Sequence, residues 1–133
     1  MILVDTSVII DKLNKVENEK TLLFDRRLAA QKPFGISVFT FHEILQGAKS
    51  ETEFRKLYNY FSTQRIIALP NTVTAYAKSA RQFFNLQRQG FMVRNTVDVL
   101  IAYTAIYYNI PLLHNDEDFD LIAEKLPKLR ILS

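Results

Sequence analysis

Short, uninterrupted apolar runs recur along the chain, separated by longer stretches in which apolar and polar residues alternate. These runs occupy residues 1–4, 34–39, 65–69, 111–114 and 129–132. Continuously apolar runs of this length are typical of strands that are buried on both faces, as in parallel sheets. The pattern therefore predicts four to five short parallel strands.

The stretches between the runs have helical spacing of their apolar residues. The predicted helices cover residues 6–13, 20–31, 40–49, 51–62, 72–89, 95–109 and 116–126. Strands that alternate with helices form βαβ units, whose sheet is covered by helices on both faces. We therefore expect an α/β fold, a three-layer α/β/α arrangement around a four- to five-stranded parallel sheet, in one domain spanning 1–133.

Composition narrows the function classes only slightly. The chain has 133 residues, no cysteine and a net charge of +3. The lack of cysteine excludes disulfides and thiolate metal sites and fits a reducing compartment. No apolar run approaches the ~20 residues that a membrane span needs. We expect a cytoplasmic protein with no membrane contact, and the mild positive charge permits a polyanionic partner.

Acidic residues lie where the predicted strands end or where the predicted helices begin. Asp5 directly follows the first strand, and Glu43 lies early in the helix after the second. Asp98 falls in the first turn of helix 95–109, and Asp116 comes just after the fourth strand. In a parallel α/β sheet these positions belong to the carboxyl edge, where ligands bind. The sequence therefore predicts an acidic site at that edge.

Each of these residues has an ordinary structural explanation when it is taken singly, because Asp is a common helix cap and suits the first turn of a helix. Asp98, however, shares its helix face with Ile101, Ala102 and Ala105, and the nearest basic residue is Arg94. An unpaired carboxylate on a buried face is costly, and several carboxylates together repel one another. A bound cation would compensate both effects. Oxygen ligands without cysteine select Mg²⁺ or Mn²⁺.

Three segments of the chain resemble the PIN domain, and in particular the VapC-type toxins of prokaryotic toxin–antitoxin pairs. They are ILVDTSVII at the start, ISVFTFHEILQGA in the first half, and NTVDVLIAYTAIYYNIPLLHNDEDFDLIA near the end. The resemblance places the acidic quartet of this family on Asp5, Glu43, Asp98 and Asp116. The small hydroxyl residue that follows the first aspartate corresponds to Thr6. The last motif varies in this family.

The last motif leaves open which side chain approaches the metal. Asn115, Asp116 and Asp118 are the candidates, and we expect Asp116 first and Asp118 second. Arg94, Ser7 and Asn115 are the residues that we expect to contact substrate.

The resemblance implies an Mg²⁺- or Mn²⁺-dependent endoribonuclease that acts as the toxin of a type II toxin–antitoxin system. It implies cleavage of RNA to 5′-phosphate and 3′-hydroxyl ends. It also implies two protein contacts, a VapB-type antitoxin that blocks the acidic pocket and a second copy of the chain in a homodimer.

The aromatic residues of segment 54–61 bear on the antitoxin contact. Four aromatic side chains lie within these eight positions. They either pack the helices that follow the second strand or leave an exposed apolar groove for a protein partner. The sequence leaves both possibilities open.

Other functions compete with this one. A PIN nuclease could act in RNA processing outside a toxin–antitoxin pair, and a catalytically inactive interaction module could keep the acidic caps for stability alone. His42 and His114 could form a metal-free ribonuclease pair, although neither has a neighbouring lysine or second histidine. A haloacid-dehalogenase-type phosphatase would need a second aspartate where Ser7 stands.

Overall fold

Four strands form one parallel sheet at the centre of the molecule. In the computed structural model, which describes residues 1–92 and 94–133, the strands are β1 (Ile2–Val4), β2 (Phe34–Ser37), β3 (Arg65–Ile67) and β4 (Leu112–Leu113). Their spatial order is β3-β2-β1-β4, and every neighbouring pair is parallel. β1 therefore has a partner on both sides.

Seven helices of the described residues surround this sheet. They are α1 (Thr6–Leu13), α2 (Glu19–Ala29), α3 (Val38–Gln46), α4 (Glu51–Phe61), α5 (Val73–Arg88), α6 (Thr96–Tyr108) and α7 (Glu117–Lys125). Within the described residues, no helix combines the length and the apolar character that crossing a bilayer requires.

The side chains of β1 divide the core into two halves. Leu3 packs with Leu112 among residues of α5, α6 and α7. Ile2 and Val4 pack with Leu113 among residues of α1, α2, α3 and α4. Because side chains alternate across a strand, these two clusters lie on opposite faces of the sheet. This confirms the three-layer α/β/α arrangement.

Polar side chains at the predicted positions begin the helices. Asp5 caps α1, Thr72 caps α5, Asn95 caps α6 and Asp116 caps α7, and each side-chain oxygen accepts a backbone N–H of the first turn. Such caps satisfy N–H groups that have no partner within the helix. Two of the predicted acidic residues, Asp5 and Asp116, therefore have a structural role as well.

Several predicted strand ends are wrong. The second strand does not reach residue 39, because the Ser37 side chain accepts the Phe39 N–H and starts α3 there. The predicted fifth strand, 129–132, is reduced to one parallel bridge between Leu112 and Ile131. Its partner β4 is only two residues long, and so offers little edge with which a fifth strand could pair.

Candidate metal centre

Asp5 is a buried carboxylate at the end of the central strand. Its side chain is 4% exposed, and its Oδ2 accepts hydrogen bonds from the Ser7 N–H (3.0 Å) and the Ser7 hydroxyl (2.6 Å). Its Oδ1 is buried too, but accepts no hydrogen bond from any residue that the structure describes. Burial raises the pKa of Asp5, and the hydrogen bonds from Ser7 oppose that rise. An unpartnered buried carboxylate oxygen of this kind needs a proton or a cation.

Three further carboxylates meet beside the starts of α6 and α7. Asp98 lies in the first turn of α6, Asp116 caps α7, and Asp118 lies in the first turn of α7. One oxygen from each of these three residues lies within 4.8 Å of the others. The Asp118 N–H donates to Asp116 Oδ1 at 3.0 Å, which keeps the two residues of α7 in a fixed relation.

The pKa of Asp98 shows how the acidic side chains are grouped. It is raised to about 7, first by burial and then by the negative charges of Asp5, Asp116, Glu43 and Asp118, in that order. Like charges raise a carboxyl pKa only when they lie close by. The structure therefore brings Asp5 and Asp98 to the same side of the molecule, together with the other three acidic residues. We call these five carboxylates the acidic rim.

Glu43 enters the acidic rim from α3. The Thr6 hydroxyl lies 2.7 Å from Glu43 Oε1, to which it donates, and 3.0 Å from the hydroxyl of buried Thr40. Glu43 also lines a cleft of about 520 Å³ with Gly47 and Val97. Thr6 thus orients Glu43, which lies in the lining of this cleft beside Gly47.

The residues expected to contact substrate differ in how free they are to do so. The Ser7 hydroxyl, which donates to Asp5, also accepts the Asn115 N–H at 2.9 Å. The Asn115 side chain donates to Asp11 Oδ2 at 2.8 Å. Ser7 and Asn115 are therefore engaged within the protein. Arg94 is exposed and lines a cavity of about 100 Å³ together with Asp98 and Asp118, so its guanidinium is the best placed of the three for a phosphate.

The two histidine side chains lie in different environments. His42 is exposed and its Nε2 lies 2.9 Å from Gln46 Oε1. His114 is 2% exposed, and both of its ring nitrogens have partners within the protein. A group buried to this extent does not reach an RNA backbone, so the geometry does not favour a metal-free histidine mechanism.

The donor set fits a hard divalent cation. All five side chains of the acidic rim offer carboxylate oxygens. One oxygen from each of Asp98, Asp116 and Asp118 lies within 4.8 Å of the others, and Asp5 Oδ1 has no partner of its own in the described chain. Such oxygen sets bind Mg²⁺ or Mn²⁺ in preference to softer metals. A cation there would also relieve the repulsion that raises the pKa of Asp98.

Sequence reasoning missed the network behind Asp5. Asp11 Oδ2 accepts the side-chain amides of Asn18 and Asn115, which ties α1 to the starts of α2 and α7. These partners lie 7 and 104 residues away from Asp11. No local pattern signals contacts over such separations.

A second surface is apolar. It is a groove of about 300 Å³ between α1, α2 and α4, with Leu28, Leu57 and Phe61 in its lining and Lys12 and Lys56 among its residues. Lys12 also forms an ion pair with Asp25. We call this surface the apolar groove. Of the four aromatic residues in 54–61, Phe61 is buried in the core, whereas Phe54, Tyr58 and Tyr60 are exposed. Core packing and an exposed apolar surface, the two possibilities that the sequence leaves open, therefore both apply in part.

Comparison with known structures gives the same fold. VapBC2 from Rickettsia felis, bound to a DNA fragment from its promoter, aligns over 99% of this chain and 98% of its own, with 23% identity and a TM-score of 0.74. FitAcB from Neisseria gonorrhoeae aligns over 100% and 97%, with 20% identity and a TM-score of 0.75. DNA-bound VapBC from Salmonella typhimurium aligns over 99% and 98%, with 24% identity and a TM-score of 0.72. No curated protein matches the sequence.

The family assignment comes from the sequence match itself. The PIN domain matches residues 2–125, which include every residue of the acidic rim. The match covers nearly the whole chain, and the fold and the grouping of the carboxylates agree with it. This chain belongs to the PIN domain family.

Proposed function

We propose that this protein is a metal-dependent endoribonuclease and the toxin of a type II toxin–antitoxin pair. The observation that carries the proposal is the acidic rim, because five carboxylates from four helices or their N-caps lie together, and two of them have raised pKa values. Grouped, partly buried carboxylates are costly to a fold, and a catalytic cation is the function that accounts for them best.

In this proposal the metal ligands are Asp5, Glu43, Asp98 and Asp116, with Asp118 as a further candidate. Mg²⁺ or Mn²⁺ held there would stabilise negative charge on the scissile phosphate and lower the pKa of an attacking water. Attack in line with the leaving 3′-oxygen gives a 5′-phosphate and a 3′-hydroxyl.

The residues beside the carboxylates have separate tasks. Thr6 orients Glu43 through the hydrogen bond to Oε1. The Ser7 hydroxyl links the Asp5 carboxylate to the Asn115 N–H, and so fixes their relative position. Arg94 binds a phosphate of the RNA beside Asp98, because its fork of N–H donors matches phosphate oxygens.

The apolar groove is the proposed binding site of a VapB-type antitoxin. Its lining is almost wholly apolar and it carries two lysines, which suits an amphipathic segment with acidic residues at its border. The toxin–antitoxin complexes among similar structures support this occupant. Continuation of that segment towards the acidic rim would block access of RNA.

A homodimer is also part of the proposal. Large apolar side chains remain exposed on α5 and α6, and Val73 is 88% exposed. Such residues are common where two subunits meet. Light scattering at micromolar concentration should give twice the chain mass, and a monomer would contradict this part.

The test of the catalytic proposal is RNA cleavage with a matched pair of variants. Wild-type protein should cut single-stranded RNA in Mg²⁺ or Mn²⁺ and should stop when EDTA is added. Asp98→Asn should lose the activity, whereas Glu117→Gln, an exposed neighbour in the first turn of α7, should keep it. Equal cleavage by wild type and Asp98→Asn, or cleavage that survives EDTA, would contradict the proposal.

Further measurements on the wild-type protein distinguish the alternative functions. An inactive interaction module would show neither cleavage nor a response of its melting temperature to Mn²⁺. A PIN nuclease outside a toxin–antitoxin pair would cleave RNA, but its expression would not arrest growth and no neighbouring small protein would suppress it. The toxin function predicts growth arrest that depends on Asp98.

A further inference from the structure

His114 lies between β4 and α7, next to the acidic rim but not part of it. The Asp116 N–H donates to His114 Nδ1 at 3.0 Å, and His114 Nε2 lies 3.0 Å from Asp120 Oδ1. Since Nδ1 accepts a hydrogen bond, the ring proton is on Nε2, which donates to Asp120. The ring packs against Phe119, with 5.2 Å between the ring centroids, and is 2% exposed.

This pair of hydrogen bonds fixes the turn that carries two candidate metal ligands. A side-chain acceptor that binds the N–H two residues further on closes the same ring as an Asx-turn. The closed turn sets the direction in which the Asp116 side chain leaves the backbone. Asp116 in turn accepts the Asp118 N–H, so the orientation of both carboxylates depends on His114.

The other end of the turn is tied to Asp5. The Asn115 N–H donates to the Ser7 hydroxyl, which donates to Asp5 Oδ2. Two consecutive N–H groups, those of Asn115 and Asp116, are thus held by two different side chains. Without the His114 bond, the turn would be tied to α1 only through Asn115, by its N–H to Ser7 and its side-chain amide to Asp11.

We propose that His114 is a positioning residue for the metal centre, whose Nδ1 holds the Asp116 backbone so that the Asp116 and Asp118 carboxylates stay beside Asp98. This inference rests on the proposed function, because it requires that the acidic rim binds a cation. Such positioning is needed because the metal centre is built from like charges. Carboxylates within 4.8 Å repel one another in the absence of a cation, and a fixed backbone keeps Asp116 from turning away.

The two ring nitrogens can be tested separately by substitution. Asparagine carries an amide oxygen near the position of Nδ1 and can accept the Asp116 N–H. Glutamine carries its amide near the position of Nε2, where it can meet Asp120 but not the Asp116 N–H. His114→Asn and His114→Gln both remove the ring from its contact with Phe119, so the loss of packing is shared.

The measured quantity is Mn²⁺ affinity, obtained by electron paramagnetic resonance on the full chain without RNA. His114→Gln should weaken Mn²⁺ binding by about 10- to 100-fold, the range found when an outer-shell partner of a metal ligand is lost. His114→Asn should stay within about threefold of wild type, since the outer-shell bond is retained. Equal weakening in the two variants would overturn the inference.

A second pair of variants covers the case in which the buried substitutions do not fold. Asp120 is largely exposed, so neither Asp120→Asn nor Asp120→Ala disturbs the core, and both remove the same charge. Asp120→Asn keeps an oxygen for the His114 Nε2–H, whereas Asp120→Ala lets the ring turn or change its tautomer. Mn²⁺ affinity should be lower in Asp120→Ala than in Asp120→Asn by at least about threefold. Equal affinity in the two variants would overturn the inference.

Measurements on the wild-type protein distinguish a failure of the metal centre from a failure of the role of His114. Wild type that binds no Mn²⁺ would overturn the metal centre and this inference with it. Wild type that binds Mn²⁺, with no difference within either pair of variants, would overturn the role of His114 alone. Nitrogen NMR of wild type at pH 8 should find the ring proton on Nε2, and a proton on Nδ1 would also contradict the inference.

Discussion

The acidic rim and the apolar groove both involve α1, but charge dominates the one and apolar surface dominates the other. Asp5 caps this helix and Thr6 begins it at the rim, whereas Ile9 and Leu13 line the groove. At the rim, burial and like charges raise the pKa of Asp98 to about 7. At the groove, apolar side chains form the lining of an open cavity.

The two regions raise the free energy of the unbound protein for different reasons. The acidic rim is unfavourable electrostatically until a cation binds, and so its gain on binding is Coulombic. The apolar groove leaves apolar area exposed until a partner covers it, and so its gain on binding is hydrophobic. Variants should therefore affect catalysis and partner binding independently.

Removing the charge of Asp5 should have the largest effect. Asp5→Asn keeps an N-cap, because asparagine caps helices as well as aspartate does. Cleavage should fall by more than the ~100-fold that loss of an outer-shell partner costs, because a direct ligand is lost. Antitoxin affinity at the apolar groove should stay unchanged. Kinetics and calorimetry measure the two effects, and loss of both together would show that the regions are not independent.

Cation binding should stabilise the wild-type protein. At a free Mn²⁺ concentration of 100 times Kd, the gain is about 2.7 kcal/mol, and it appears as a higher melting temperature. Asp98→Asn should show a much smaller rise, because it carries one ligand less. Thermal melts with and without Mn²⁺ make the comparison. An equal rise in the two proteins would place the binding site elsewhere.

Placing a charge in the apolar groove should weaken antitoxin binding by about 10-fold or more and leave cleavage unchanged. Tyr60→Asp is the test, because Tyr60 lines the groove. Tyr58→Asp is the matched control on the same helix, since Tyr58 is 50% and Tyr60 51% exposed and Tyr58 packs against Phe41 instead. Equal losses of affinity in the two variants would show that the groove is not part of the antitoxin interface.

A last test concerns the acidic rim alone: the stability of the metal-free protein should depend on pH. The pKa of Asp98 is about 7 in the folded protein against 3.8 as its ordinary value, so the folded state holds this proton more tightly. The stabilisation is complete below about pH 4 and is lost as the pH rises towards 7. Metal-free Asp98→Asn should lack this decline. Chemical denaturation at several pH values measures it, and identical slopes in both proteins would contradict the raised pKa.

The sequence was sufficient for the layers of the fold because the signals were local. Ile2, Leu3 and Val4 form an apolar run, and all three are buried in the centre of the sheet. Asp5 and Asp116 stand where caps are expected, and the structure confirms both caps. The ends of strands were less predictable, because a single side-chain bond from Ser37 decides where α3 begins.

The grouping of the carboxylates follows from the predicted topology and from the resemblance to the PIN domain, and no local pattern indicates it. Asp5 and Asp98 are far apart in sequence, and the expectation that they meet came from the carboxyl edge of a parallel sheet. The supporting bonds could not be foreseen, because the contact of Ser7 with Asn115 spans 108 positions and depends on the exact packing of β4 beside β1. Arg94 is the basic residue nearest to Asp98 in sequence, and the structure places both residues in the lining of one cavity.

Whether the acidic rim holds a divalent cation can be seen by anomalous scattering from a crystal grown with Mn²⁺. We expect one strong peak, bonded by oxygens of Asp5, Asp98 and Asp116 at roughly 2.0–2.3 Å. Asp5 Oδ1, which has no partner within the described chain, should be among these oxygens. A crystal at saturating Mn²⁺ with no peak at these residues would show that the acidic rim is not a metal site.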